Sequence, residues 1–179
     1  MVLSQEKIKE LIQTSKLVEG LSERELTNPE GVGLDLRLGE LFKIKGETFL
    51  GVEKRNTVDH TSVAKYDSKK SSTFTIKPAE FYLMQTVESV NLSDNIVAIP
   101  YPRSTLLRSG MWLLSTQVAP GYKGILTFGL KNMGNSNFKV EMGARVAHII
   151  FSEIAGKGAS YRGQWQGGRV TTEGEEKQV

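Results

Sequence analysis

What most restricts the fold of this chain is a period-two alternation of apolar and polar residues in short runs, broken repeatedly by Gly, Pro, Asn and Ser. Leu34, Leu36 and Leu38 alternate with Asp35 and Arg37, and similar runs follow at residues 74–76, 81–87 and 96–99. Successive side chains of a strand point to opposite faces, so each run offers one face to a core and one to solvent. Many short strands with frequent turn residues predict a sandwich or barrel instead of alternating βαβ units. One segment departs from this period. Ile8, Leu11 and Ile12 recur at helical spacing behind Ser4, which predicts a short amphipathic helix capped by that serine.

At 179 residues the chain is expected to form a single domain over residues 1–179. Its 39% hydrophobic and 24% charged residues are those of a globular protein, not a disordered one. No apolar run approaches the roughly 18 to 20 residues of a bilayer-spanning helix. The start, with Ser4, Gln5, Glu6, Lys7 and Lys9, lacks a secretory pattern, so no membrane partner and a cytoplasmic location are expected. The absence of cysteine removes disulfides, thiol nucleophiles and thiolate metal sites. With only His60 and His148 as histidines, no resident metal ligands are expected. A net charge of +3 suits an anionic small ligand, and no nucleic-acid partner is expected. Residues 51–72 are polar and read as a long loop or loose hairpin. Residues 156–179, glycine-rich and then acidic, read as a flexible arm with a frayed end.

Four segments carry possible chemistry. In residues 102–110, Arg103 precedes Ser104 and Thr105 at what reads as the start of a helical turn, and Arg108 follows five residues after Arg103. Free N–H groups and arginine forks there suit phosphate oxygens, although Ser104 acting as a helix cap beside solvated arginines accounts for the same run. Gly31-Val32-Gly33 leads into a strand bearing Asp35. Pro120-Gly121-Tyr122-Lys123-Gly124 reads as a hairpin between strands at 113–118 and 125–130, able to offer backbone groups to a base edge and Tyr122 to a sugar. Residues 161–169, basic and aromatic around Tyr161, Gln164 and Trp165, read either as a lid over phosphates or as a flexible tail.

Together and in this order, the segments resemble the dCTP deaminase and trimeric dUTPase superfamily. Residues 31–36 are similar to its first motif, 102–108 to the phosphate-binding second, 120–124 to the pyrimidine-reading third, 142–149 to the fourth and 161–168 to the closing arm. The opening helix and Asp35-Leu36-Arg37-Leu38-Gly39 resemble the deaminase branch. The resemblance implies a mainly β fold, a distorted jelly-roll-like barrel of the dUTPase type with a short N-terminal helix, assembled as a homotrimer with sites between subunits. It implies a hydrolase converting dCTP to dUTP and ammonia; the alternatives are dUTP cleavage to dUMP and pyrophosphate, or a catalytically silent nucleotide-binding or regulatory protein. Mg²⁺ would be held by the phosphates, and no zinc is used. Carried over by residue, Ser104 and Arg108 would be catalytic. Arg103, Ser104, Thr105, Arg108, Tyr122, Tyr161 and Gln164 would bind substrate.

Two departures bear on catalysis. The strand glutamate that resemblance makes the general base falls on Gly129, and the acid before the Pro-Gly turn falls on Ala119. Asp35, Glu80, Glu141 and His148 are the candidates to replace it.

Overall fold

In a computed structural model describing residues 1–156 and 158–178, the chain runs α1 (Gln5–Ser15), β1 (Val18–Glu19), α2 (Glu23–Thr27), β2 (Leu34–Lys45), β3 (Phe49–Leu50), β4 (Lys54–Asn56), β5 (Asp59–Lys65), β6 (Thr73–Ile76), β7 (Phe81–Asn91), β8 (Ile96–Pro102), α3 (Ser104–Arg108), β9 (Met111–Leu114), β10 (Lys123–Asn132), β11 (Phe138–Glu141), β12 (Arg145–Glu153) and β13 (Glu176–Lys177). The main sheet is ordered β8-β12-β2-β7-β10-β9, with β1 added to β7 and β5 to β2. Its edges come back together. Ala98 of β8 and Val118, just beyond β9, exchange N–H···O=C bonds of 3.1 and 2.8 Å. Near-closure of this kind leaves little free edge, and the mainly β, barrel-like architecture expected of the sequence is the one formed.

The alternation has a structural counterpart in β7, where Tyr82, Met84, Thr86, Glu88 and Val90 are buried and Phe81, Leu83 and Gln85 face outward. The inward side meets Leu36, Leu38 and Leu41 of β2, Leu130 of β10 and Ile149 and Phe151 of β12, all fully buried. α1 forms as expected: the Ser4 hydroxyl accepts from the Lys7 N–H at 3.2 Å and Ile8 is buried in the core. Gln5 ties the helix to the first glycine turn by donating to the carbonyls of Gly31 and Gly33 at 3.0 and 2.7 Å. Gly33 sits at φ 119°, and a Cβ there would meet the Ile149 carbonyl oxygen at 2.2 Å, so the turn admits only glycine. Among the described residues no helix is long and apolar enough to cross a membrane.

Two segments differ from expectation and a third is placed. Within residues 51–72, β5 is a genuine strand: where β12 leaves β2 at Arg37, β5 takes over the ladder from Glu40 to Lys45. Its side chains are mostly exposed, so no apolar alternation marks it. The hairpin around Pro120 is wider than expected, because β9 and β10 pair only as far as Leu114 and Gly129. Beyond them the chain leaves the ladder, Val118 bonds to β8 instead, and Ala119-Pro120-Gly121-Tyr122 forms the turn. The Tyr122 N–H reaches the Ala119 carbonyl at 3.2 Å, and Gly121 takes the positive φ of 76° that such a turn needs after proline. Finally, the arm packs on the rest of the chain. β13 pairs with β4, and Thr171 and Thr172 are buried. Lys157 and Val179, also within the arm, lie outside the described residues.

Candidate active site

Where β9 and β10 part lies a cavity of about 510 Å³, within the usual range for a small-molecule site. Thr116 and Ala119 come from the loop after β9, and Thr127 and Phe128 from β10. Thr57 and Val58 enter from the excursion between β4 and β5, and the arm supplies Tyr161, Trp165 and Arg169. The lining is largely apolar and hydroxylic. It contains no aspartate or glutamate, and Arg169 is its one cation among the described residues.

Tyr122 forms part of the floor. Its hydroxyl donates to the Ile125 carbonyl at 2.7 Å, and its ring meets Tyr161 edge to face at 5.3 Å. Burial, reinforced by Tyr161 and opposed by the Gly168 N–H, pushes the phenol up to about 12. Tyr122 is therefore a neutral packing surface at ordinary pH and not a base. The arm is stitched over it: Tyr161 N–H donates to the Pro120 carbonyl at 2.7 Å and Gly167 N–H to the Lys123 carbonyl at 2.8 Å. A Cβ on Gly124 would lie 2.5 Å from Gly167, so the approach requires glycine at that strand end. Gln164 does not line the cavity; its side-chain oxygen accepts from Arg55.

Gly129 lies on the outward side beside this cavity. A Cβ there would meet Phe81 ring carbons at 2.9 Å and Leu114 Cβ at 3.2 Å, so an aromatic ring from β7 occupies the space into which a longer side chain would grow.

The second motif lies elsewhere in the chain. Arg103 is the N-cap of α3 without a side-chain cap, so Ser104 does not cap that helix. Ser104, Thr105 and Arg108 are exposed, and none of the four lines the cavity. The Arg103 guanidinium is instead committed to the buried Asp35 carboxylate, which also accepts from Arg145 at 2.9 Å and from His148 Nδ1 at 2.9 Å, with Arg24 at 3.7 Å. Glu25, buried on α2, completes the cluster by accepting the Asp35 N–H at 2.8 Å and pairing with Arg24. Burial, then Arg145 and Arg24, lowers the Arg103 pKa from its ordinary value, with Glu30 and Glu25 opposing. A guanidinium so lowered remains charged at neutral pH.

The replacement bases fare poorly. Asp35 is saturated by Arg103, Arg145 and His148. His148 places its other ring nitrogen 3.0 Å from the Val32 carbonyl, so both nitrogens face acceptors. Glu80 accepts from the Lys77 N–H at 2.8 Å, and Glu141 accepts from the Ser71 hydroxyl at 2.7 Å. None of the four lines the cavity.

Residues 2–154 match the model of a family described as dCTP deaminase-like. The chain belongs to the dCTP deaminase-like family. It is 31% identical over 174 residues to a dCTP deaminase, dUMP-forming, of Persephonella marina, covering 96% of this chain and 95% of that protein. It is also 31% identical over 179 residues to a dCTP deaminase of Pyrobaculum islandicum, with the same coverage. Among solved structures, the 2'-deoxycytidine 5'-triphosphate deaminase of Agrobacterium tumefaciens shares the fold at a TM-score of 0.64 and 17% identity; 86% of this chain matches about half, 48%, of that one. A staphylococcal bacteriophage 80alpha dUTPase variant aligns at a TM-score of 0.50 and 15% identity, over 80% of this chain and 85% of that one. As a dCTP deaminase-like chain it brings Tyr122 and Tyr161 together at one cavity and leaves Arg103, Ser104, Thr105 and Arg108 apart from it. The family match ends before the arm begins. Sequence reasoning missed the wall of Ile44, Thr48, Thr57 and Val58, which carry no local motif, and Phe81, whose place over Gly129 follows only from strand pairing.

Proposed function

We propose that the chain acts in deoxypyrimidine triphosphate metabolism, taking dCTP with its base in the cavity between Tyr122 and the arm. Family membership supports hydrolytic deamination, in which water adds at C4 of cytosine, ammonia leaves, and dUTP remains. The observation that carries the ligand reading is the cavity itself: a slot of nucleoside size, floored by a tyrosine and edged with backbone and hydroxyl groups. Ser104, Thr105 and Arg108, exposed on α3, reach the phosphates from a neighbouring copy in a homotrimer, while Arg103 stays with Asp35. Ile99 and Tyr101 of β8, Leu107 of α3, and Trp112 and Leu114 of β9 are exposed apolar residues that a neighbouring copy would cover. Mg²⁺ arrives on the triphosphate and neutralises its charge; no group of three acidic or histidine side chains among the described residues would hold it otherwise. A cytoplasmic location suits such a substrate.

Binding without turnover is the second reading, and one observation favours it. No carboxylate lines the cavity, and Phe81 fills the space beside Gly129. A missing general base lowers a rate by about two to four orders of magnitude. Incubation with dCTP or dUTP and Mg²⁺, with ammonia and pyrophosphate measured separately, distinguishes the readings. The expected result is dCTP binding by calorimetry with slow ammonia release. Pyrophosphate from dUTP would mark a dUTP-cleaving enzyme instead, and no nucleotide affinity at all would remove the proposal.

A further inference from the structure

The arm carries an arrangement that deamination does not use. β13 sets Glu176 directly opposite Arg55 of β4. The arm's Trp165 indole lines the cavity, with Arg55 Cζ 4.6 Å and Arg169 Cζ 6.0 Å from its ring centroid. Both guanidiniums turn to the one carboxylate of Glu176. Oε1 accepts from Arg169, while Oε2 lies 3.8 Å from Arg55. That oxygen is buried without a hydrogen-bond partner, and so is Nε of Arg55. A charge-assisted bond closes to about 2.7 to 2.9 Å, so the carboxylate bonds Arg169 and not Arg55, whose terminal nitrogen donates to Gln164 while its Nε goes unpaired.

We propose that Arg55 and Arg169 form an anion site for the phosphate groups of a nucleotide seated in the cavity, and that Glu176 fills this site as a built-in competitor while the arm is docked. The inference rests on the nucleotide reading above. Arg169 lines the cavity, so a phosphate leaving its mouth meets that guanidinium first. A phosphate presents more oxygens than a carboxylate and can engage both forks at once. Arg169, through its hydrogen bond, holds the Glu176 carboxyl below its usual range, which keeps the competitor ionised. Displacing Glu176 need not detach the arm. Thr57 and Thr172 exchange N–H···Oγ bonds of 2.9 and 2.8 Å, and Thr171 Oγ1 lies 2.6 Å from His60 Nδ1. The neighbouring Lys54–Glu175 pair at 2.6 Å is exposed, and solvent screens it.

The test titrates the full chain, Glu176→Gln, Arg169→Gln and Thr172→Ala with dCTP, deoxycytidine and inorganic tripolyphosphate by calorimetry, after thermal melts confirm folding. Glu176→Gln is expected to bind dCTP and tripolyphosphate about tenfold more tightly, the effect of losing one charged competitor, with deoxycytidine unchanged. Arg169→Gln is expected to weaken both phosphate ligands by a similar factor. Thr172→Ala loosens the arm without altering charge and should leave all three affinities within about twofold. Equal dCTP affinity in the full chain and Glu176→Gln overturns the competitor while the cavity reading stands. The same holds if Thr172→Ala reproduces the gain. A tripolyphosphate gain in Glu176→Gln without any dCTP or deoxycytidine binding supports the anion site and removes the nucleotide reading. Should Glu176→Gln fail to fold, unchanged phosphate affinity in Arg169→Gln overturns the site by itself.

Discussion

The clusters around Asp35 and Glu176 are built from the same parts, a carboxylate facing several arginines, yet they differ in how completely their polar atoms are matched. Asp35 is buried, with Oδ2 facing Arg103 and Arg145 and Oδ1 bonded to His148. Glu176 has one oxygen bonded and the other stranded 3.8 Å from Arg55. A buried charge with every lone pair engaged is a fixed joint, because removing either side leaves uncompensated charge in low dielectric. A half-matched pair beside a cavity is exchangeable. The contrast assigns structure to the first cluster and ligand response to the second, although the sequence made Arg103 the phosphate reader.

The sharpest attempt to break this contrast is Asp35→Ala. It strands Arg103 and Arg145 and unhooks His148, and is expected to cost about 3 to 5 kcal/mol, read as a fall in urea midpoint at unchanged slope. Glu176→Ala should move the midpoint far less. If the two variants were equally destabilised, the joint and the exchangeable pair would be the same kind of object.

The contrast also marks what the sequence could and could not disclose. The period-two run at 81–87 announced β7 because that strand has one face in the core, the alternating leucines announced β2 although Asp35 between them is buried as well, and Ser4 announced α1 because a cap is a local property. β5 escaped because a strand can be fixed by ladder hydrogen bonds alone, with its side chains in solvent. At the site, Tyr122 and Tyr161 were legible because turn and arm have local signatures. The commitment of Arg103 to Asp35 and the cover of Phe81 over Gly129 were not. Both join residues far apart in sequence, and their partners follow from strand register.

The cavity side has its own stability signature. Tyr122 is held above its unfolded value of 10.0, at about 12, so its protonated form stabilises the fold. That contribution is present in full below about pH 10 and is lost as pH rises through about 12, amounting to roughly 2 to 3 kcal/mol for two units. Tyr122→Phe should lack this part of the alkaline loss. Denaturation midpoints of both proteins across that window, with phenolate absorbance followed in the parent, provide the check. Parallel curves would show that the phenol is not the group responsible.

A smaller effect is expected from restoring a carboxylate. Gly129→Glu must push the Phe81 ring aside from 2.9 Å and is expected to cost about 1 to 3 kcal/mol without raising ammonia release from dCTP. Gly129→Glu combined with Phe81→Ala removes the obstacle, and ammonia release should then rise above that of the parent. A rise with Gly129→Glu alone would show that the ring yields easily and that the vacancy at residue 129 was the whole deficit. No rise with either would place the deficit in the rest of the pocket.

The least perturbing changes test the division from the opposite end. Ser104 and Arg108 are exposed, Ser104 is not the cap of α3, and Arg108 forms no ion pair among the described residues. Each alanine substitution should therefore shift stability by no more than about 0.5 kcal/mol. If a neighbouring copy brings α3 to the cavity, the same substitutions will weaken dCTP binding while leaving the melting curve in place, because the groups are then paired only in the complex. An unchanged dCTP affinity in both variants would confine the ligand to one chain and make α3 a surface feature. A large stability loss would instead mean that α3 is tied into the assembly without nucleotide, and the separation between structural and ligand-facing arginines would fail at that helix.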